Sequence, residues 1–314
     1  MNLETLSRRR LLAVAAASGI AGLAGRVAHG TPPEQRASDA FRPLILAAKP
    51  VGYWRLGERS GTVAADETRN RHNGWYMTKP KMGEPGAIVG DSNSSITLDG
   101  KSYVEISDHP AFSQPTSGAG LTVEVWMRPD KLDFADAAPV KYLHWLGKGE
   151  PGRYEWGFRF YTRGDGERPN RISAYIWNPS GQLGAGAYFQ DRLVAGKWIH
   201  VVACYEPGNA TAGPRREGVR IYKDGVFRQG PPSRGTLYSN PPDWQIMPQR
   251  GTAPVRLGTR EGKGFFVGGL DEVAIYPRVL SPEEIRWHYE VGAGMRKLSG
   301  PELEKLKLLV TARK

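Results

Sequence analysis

The chain has 314 residues, 39% of them hydrophobic, and a formal net charge of +11. Its 39 glycines and 24 prolines make up one residue in five, which argues against a helical bundle and for a turn-rich, mostly β domain. No periodic self-repeat points to a solenoid, and no nucleic-acid-binding motif accompanies the basic charge; the surplus fits an anionic glycan, a cell-surface polymer, or plain solubility.

At the N-terminus, Ser7-Arg8-Arg9 precedes Leu11-Leu12 and an apolar, Ala- and Gly-rich stretch to Ala24. That stretch is short for a membrane span and resembles a twin-arginine export signal over residues 1–30, with cleavage near Ala28; a Sec signal or an uncleaved anchor are the alternatives. Export would place the protein in the periplasm or outside the cell, with no transmembrane helix in the mature chain. Residues 1–28 hold Arg8, Arg9, Arg10 and Arg26 against Glu4, so the remaining chain stays basic. A Pro- and charge-bearing linker is expected over 31–43. The single cysteine, Cys204, cannot form an internal disulfide, and its alternating context "WIHVVACYE" reads as a strand with a buried, inert thiol.

Between "GYWRL" and "GWYM" lies the polar run "DETRNRHNG", Asp66 to Gly74. Further on, apolar and polar residues alternate with period two in "SYVEIS", "LTVEVWMRP", "YEWGFRFYT", "RISAYIWN" and "WIHVVACYE", the pattern of strands with one face on a core. In "LTVEVWMRP" the core face is Leu121, Val123, Val125 and Met127. "RIYKDGVFR" reads as a hairpin, because Asp224-Gly225 supplies the positive φ of a two-residue turn. Many short antiparallel strands separated by turn residues predict a two-sheet β-sandwich or jelly roll. Two helices are expected, both late. "LSPEEIRWHYEVG" has Ser281 as N-cap, Pro282 in the first position, Glu284 to close a capping box and Gly292 as a stop. "SGPELEKLKLLVTARK" repeats the device with Ser299 and Glu302, and Leu303, Leu306 and Val310 form an apolar stripe.

These segments, in this order, resemble the laminin-G-like (concanavalin A-like lectin/glucanase) jelly-roll family. The likeness runs through "PVGYWRLGERSGTVAADETRNRHNGWY", "SITLDGKSYVEISDHPAF", "LTVEVWMRP", "GKWIHVVACYE" with "GVRIYKDGVF", and "VRLGTREGKGFFVGGLDEVAIYPRVLSPEEI". It implies an all-β, two-sheet antiparallel sandwich over residues 44–292, a short helix after the last strand, and a C-terminal amphipathic helix or tail over 293–314. It also implies a binding or adhesive module, and many such modules carry calcium at the sandwich rim. On that resemblance, Asp66 and Asn70 in the polar loop, with Asp271 from "GGLDEVAIY", form a calcium ligand set. Arg69 and Arg71 stand where the family usually has glycine, and glycine would tolerate positive φ. The alternative is that Asp66, Asn70 and Asn73 only cap a turn, with Asp271 a buried anchor.

Catalytic motifs are lacking. There is no Glu-x-Asp-x-Glu run, Asp271 and Glu272 alternate faces, and the six histidines are scattered without metal spacing. No catalytic residues are assigned. The ligand face is read from "GRYEWGFRFYTRGDGERPNR". Trp156, Phe158 and Phe160 face the core, while Arg159 and Tyr161, with Arg163 and Arg171 beyond, form a stacking and ion-pairing surface. Trp244, in a long insertion, is a further sugar platform or a plug over the core. The expectation is an exported, non-catalytic module for a polysaccharide, a cell-surface glycan or a surface protein, with no nucleic acid. A polysaccharide lyase or hydrolase, and a structural or adhesive subunit, are the alternatives.

Overall fold

A computed structural model describes residues 38–113, 120–134, 142–165, 169–177, 184–188, 191–206, 219–228 and 250–311. The expected export signal, Trp244 and most of the expected linker lie outside the described residues.

Two eight-stranded antiparallel sheets face each other. The first contains β4 (Lys81–Pro85), β5 (Ser94–Asp99), β7 (Leu121–Pro129), β12 (Ile199–Tyr205), β13 (Val219–Lys223), β14 (Val226–Phe227) and β16 (Val267–Tyr276). Its order is β14-β13-β12-β7-β16-β5-β4, and β1 (Gly52–Trp54) pairs with β16. The second contains β2 (Val63–Ala64), β3 (Gly74–Met77), β6 (Tyr103–Ile106), β8 (Tyr142–Glu150), β9 (Arg153–Tyr161), β10 (Ile172–Trp177), β11 (Gly184–Tyr188) and β15 (Val255–Leu257). Its order is β11-β10-β9-β8-β15-β6-β3-β2. The expected β-sandwich is thus present. Its core takes the apolar positions of the alternating strands, among them Val123, Val125, Met127, Trp156, Phe158, Phe160 and Ile176. The β13–β14 hairpin turns through Asp224 at φ 53° and Gly225 at φ 72°, as its sequence requires.

The outer face of the first sheet departs from the one-sided pattern. In β7 all but one position, Arg128, is buried, including Glu124 and Trp126 on the side away from the core. Three helices cover that side: α1 (Ser38–Ala47), α2 (Pro282–Gly292) and α3 (Gly300–Thr311). Phe41, Leu44, Ile45, Ile285, Val291, Leu303 and Leu306 pack there against Trp126, Val202, Tyr222, Ala274 and Tyr276. The fold therefore has three layers.

Two of the helices start where the sequence places them. Ser281 Oγ accepts from the Glu284 amide at 3.1 Å and Glu284 Oε2 accepts from the Ser281 amide at 2.8 Å; Ser299 and Glu302 repeat the exchange. The third, α1, corrects the expected linker, whose last residues, from Ser38, are helical. Its Pro43 concealed it, since a proline inside a helix costs about 3 kcal/mol. Burying Phe41, Leu44 and Ile45 contributes roughly 1.5–3 kcal/mol each, so burial wins. Among the described residues no helix is long and apolar enough to cross a membrane.

Candidate functional site

The outer face of the second sheet carries the chemistry. Successive registers align one residue from each strand in a transverse row: Val63, Trp75, Glu105, Arg256, Gly147, Gly157, Tyr175 and Gly186. Two adjacent glycines in the middle leave the sheet bare. Arg260, from the loop after β15, lays its stem there, with Cδ only 3.2 Å and 3.4 Å from where a Cβ on Gly147 or Gly157 would stand.

Arg260 also lines a cleft of ≈ 830 Å³ beside this patch, walled by Tyr142, His144, Tyr154, Arg159 and Trp177 and, at its rim, by Asp99 and Val267 from the ends of first-sheet strands. That volume is in the range of sites that hold small molecules. Two guanidinium groups are held between aromatic rings. Arg159 lies 4.0 Å from the Tyr175 ring centre, 4.1 Å from Tyr142 and 5.3 Å from Trp177. Arg260 lies 3.7 Å from Tyr154 and 4.6 Å from Trp177. At these distances the ring quadrupoles attract the cations, which offsets part of the cost of burying them. Glu261 Oε2 accepts from both Nε and Nη2 of Arg260, at 3.2 and 2.5 Å, an ion pair that neutralises this guanidinium and fixes its plane.

His144 joins the two arginines. Arg159 Nε can only donate, and it reaches His144 Nε2 at 3.2 Å, so Nε2 carries no proton. The Tyr175 hydroxyl also hydrogen-bonds Nε2, while its oxygen accepts from Arg260 at 3.2 Å. Burial, then the charges of Arg260 and Arg159, hold His144 well below the usual histidine range. The imidazole is a neutral acceptor that spaces two buried cations. Burial likewise lowers Arg260 and raises Tyr154. The cleft wall carries Lys131, Lys263, Arg159 and Arg260 together with Asp99, Asp133 and Glu261.

Of the residues expected to bind ligand, Arg159 lines this cleft. Arg163 is exposed and pairs at 3.2 Å with Asp133, itself a wall residue. Tyr161 is fully buried, its hydroxyl 3.0 Å from Ser173 Oγ, and the Arg171 carbonyl accepts from the Tyr161 amide. Sequence reasoning overlooked His144, Tyr142, Tyr154, Tyr175, Trp177 and Arg260. A signal existed for two of them: in "RISAYIWN" the non-core positions are Ser173, Tyr175 and Trp177, and large aromatics on the polar face of a strand mark a contact surface. Nothing local distinguishes Arg260 in "LGTREGKG".

The polar loop closes as a capped turn. Asp66 Oδ1 accepts from the Tyr53 and Thr68 amides at 3.0 and 2.9 Å, and Oδ2 from Thr68 Oγ1 and the His72 amide at 2.8 Å. Asn73 Oδ1 accepts from the Asp66 amide, and Asn70 donates its side-chain amide to the Val51 carbonyl. Arg71 takes φ 54° without glycine. Asp271 turns elsewhere: its Oδ2 accepts from the Ala87 amide at 2.7 Å and its other oxygen faces Asn93. With both Asp66 oxygens engaged and Asp271 bonded away from the loop, the three residues do not fit a calcium ligand set. No cluster of three acidic, His or Cys side chains suited to a metal occurs among the described residues.

Two other buried polar clusters serve the fold. Glu124, behind the first sheet, accepts from His200 Nε2 at 2.7 Å, His288 Nδ1 at 3.0 Å and the Tyr276 hydroxyl at 2.6 Å, which ties α2 to β7, β12 and β16. Burial opposes its ionisation, but His288 and the hydrogen bonds outweigh it and hold the carboxyl well below the usual range. Asp271 and Glu272 lie at a bulge in β16, where Glu272 has φ 51° and bonds Tyr53, Arg55 and Asn93. Cys204 is buried, and that burial pushes its thiol up to about 11, so it is inert as expected.

A laminin-G family model, described as the concanavalin A-like lectin/glucanases superfamily, matches residues 98–286. The chain belongs to that superfamily. Among solved structures, it is similar to the binding domain of Paraclostridial Mosquitocidal Protein 1, at 13% identity and TM-score 0.53, covering 78% of this chain and 52% of that one. It is similar to the binding domain of botulinum neurotoxin serotype D, at 11% identity and TM-score 0.52, with 78% and 52% covered. The serotype D ligand-binding domain in complex with N-acetylneuraminic acid matches at 10% identity and TM-score 0.52, with 79% and 52% covered. The chain thus spans about half the length of these structures, and at such identities the likeness is one of fold. No curated protein matches it in sequence.

Proposed function

We propose that the chain is an exported, non-catalytic binding module of the concanavalin A-like superfamily. Its ligand is a glycan bearing carboxylate or sulfate groups, held in the cleft over β8, β9 and β10. The observation that carries this reading is that Arg159 and Arg260 both line one cleft with Tyr142, Tyr154 and Trp177, packed against those rings and the buried ring of Tyr175. Guanidinium groups bind carboxylates and sulfates through two parallel hydrogen bonds, and ring faces pack on the C–H faces of sugars. Both arginines are anchored before any ligand arrives, so little side-chain entropy is lost on binding. The basic net charge favours approach of an anionic polymer. A serotype D neurotoxin ligand-binding domain, whose fold this chain shares over about half its length, was solved with N-acetylneuraminic acid, an acidic sugar of the class proposed here. Calcium has no part in the reading.

The test is calorimetric titration with acidic oligosaccharides and their neutral, carboxyl-reduced counterparts, on the wild type and on Arg159→Ala and Arg260→Ala. The acidic form should bind, the reduced form at least about tenfold more weakly, and each variant should lose about tenfold or more. Equal affinity for acidic and reduced forms would remove the arginines from recognition. New reducing ends or unsaturated products in the same mixtures would make the cleft an active site.

A further inference from the structure

Trp75 is half exposed, at 50%, and nothing in the cleft accounts for it. Its partner across the strand pair, Val63, is also exposed. The neighbour Tyr76 belongs to the sandwich core, so Trp75 projects from the outer face, the face that bears the cleft. Both belong to one continuous row. Trp75 stands opposite Glu105, Glu105 opposite Arg256, Arg256 opposite Gly147, and Gly147 opposite Gly157, over which Arg260 lies. Between the indole and the cleft, Glu105 and Arg256 form an ion pair at 2.8 Å whose side chains remain 33% and 17% exposed. Arg256 also donates to the Arg260 carbonyl at 2.9 Å, which fixes the loop at the cleft wall to the same row.

We infer that Trp75, the Glu105–Arg256 pair and the arginine cleft are consecutive subsites for one linear acidic polysaccharide lying across the strands. This rests on the cleft reading above and extends it to the length of the ligand. β3 and β9 are four strands apart, a span of about 19 Å at the usual strand spacing, which a monosaccharide cannot bridge. The chemistry along the row suits a sugar chain. The indole offers a flat apolar face at one end. In the middle, a carboxylate and a guanidinium hold each other rigid while retaining acceptors and donors for hydroxyl groups. At the far end the cleft, with Arg159, Lys131 and Lys263 on its wall beside the Arg260–Glu261 pair, receives the acid.

The experiment measures the affinity of the full chain for oligogalacturonates graded from disaccharide to octasaccharide, comparing wild type, Trp75→Ala and Arg260→Ala. Thermal melting of each variant confirms folding, and Trp75→Ala should melt as wild type because the indole is half in water. Wild-type affinity should rise with chain length. Trp75→Ala should bind the disaccharide unchanged but the octasaccharide about three- to tenfold more weakly. Arg260→Ala should weaken every length. A length-independent wild type, or Trp75→Ala binding the octasaccharide as tightly as wild type, overturns the extended site and leaves the cleft reading standing. An Arg260→Ala variant with unchanged affinity at every length, or no binding at any length, overturns both. If Trp75→Ala instead abolishes self-association in sedimentation without touching glycan affinity, the indole belongs to a contact between copies and the subsite assignment fails.

Discussion

Gly147 and Gly157 show how much a missing side chain can determine. A Cβ on Gly147 would stand 2.6 Å from the Trp156 carbonyl oxygen and 2.8 Å from Gly157 Cα, whereas on Gly157 its nearest neighbour would be the Leu146 carbonyl oxygen at 3.2 Å. Gly147→Ala should therefore cost about 1–3 kcal/mol in urea unfolding and displace Arg260, and Gly157→Ala should cost less. An equal cost for the two would mean that the backbone relaxes and the bare patch is not sterically enforced. His144 gives a second prediction. Burial between two guanidinium groups keeps it neutral, so its ring signals in an NMR titration should not move between pH 8 and pH 5.5, where an ordinary histidine takes up its proton. At this scale the sequence was only half legible. Arg159 could be found because strand alternation places it opposite the core. His144 and Arg260 could not, because their roles arise when β8, β9 and a distant loop meet over two glycines.

The elements that had to be read from capping chemistry came out well, and the one that had to be read from burial did not. Ser281 and Glu284 announce α2 through a local hydrogen-bond exchange that needs no tertiary context. Ser281→Ala should cost about 1 kcal/mol. By contrast α1 has a proline in its interior, and its stability comes from the layer it joins. Phe41→Ala should then cost about 3–5 kcal/mol in chemical denaturation, a value foreign to any linker residue. Alternation in "LTVEVWMRP" identified its core face correctly. It could not reveal that helices roof the other face, since Glu124 and Trp126 look like solvent-side residues until His200 and His288 are seen beside them. The depressed Glu124 carboxyl contributes stability that is fully present above its unfolded value near 4.3 and is lost as pH falls below it. Melting temperature should drop steeply below about pH 4.5, and Glu124→Gln should lose both that acid limb and stability at neutral pH.

Across the whole molecule, a second acidic cluster acts with the opposite sign. Burial raises both Asp271 and Glu272, the latter to about 7 even against the attraction of Arg55. A carboxyl raised in the folded state contributes stability below its unfolded value and loses it as pH climbs through the folded one. Melting temperature should therefore also fall between about pH 5 and pH 8, with a maximum on the acid side of neutrality, and Asp271→Asn should flatten that upper limb. A curve that rises steadily to pH 8 would mean that the pair is ionised without penalty. Because both Asp66 oxygens are engaged in the capped turn, adding calcium or a chelator should leave the same melting curve unmoved; a calcium-dependent rise would reveal a metal that the turn does not suggest. The helical roof has its own consequence for how this molecule can change. Strands β7, β12 and β16 are packed on both faces, so their amides should be the slowest to exchange with deuterium, and few substitutions there should survive. The outer face of the second sheet bears no such load at Trp75, Glu105 and Arg256. Specificity can drift on that side, through selection or through an engineered library, while the roofed side keeps the chain folded.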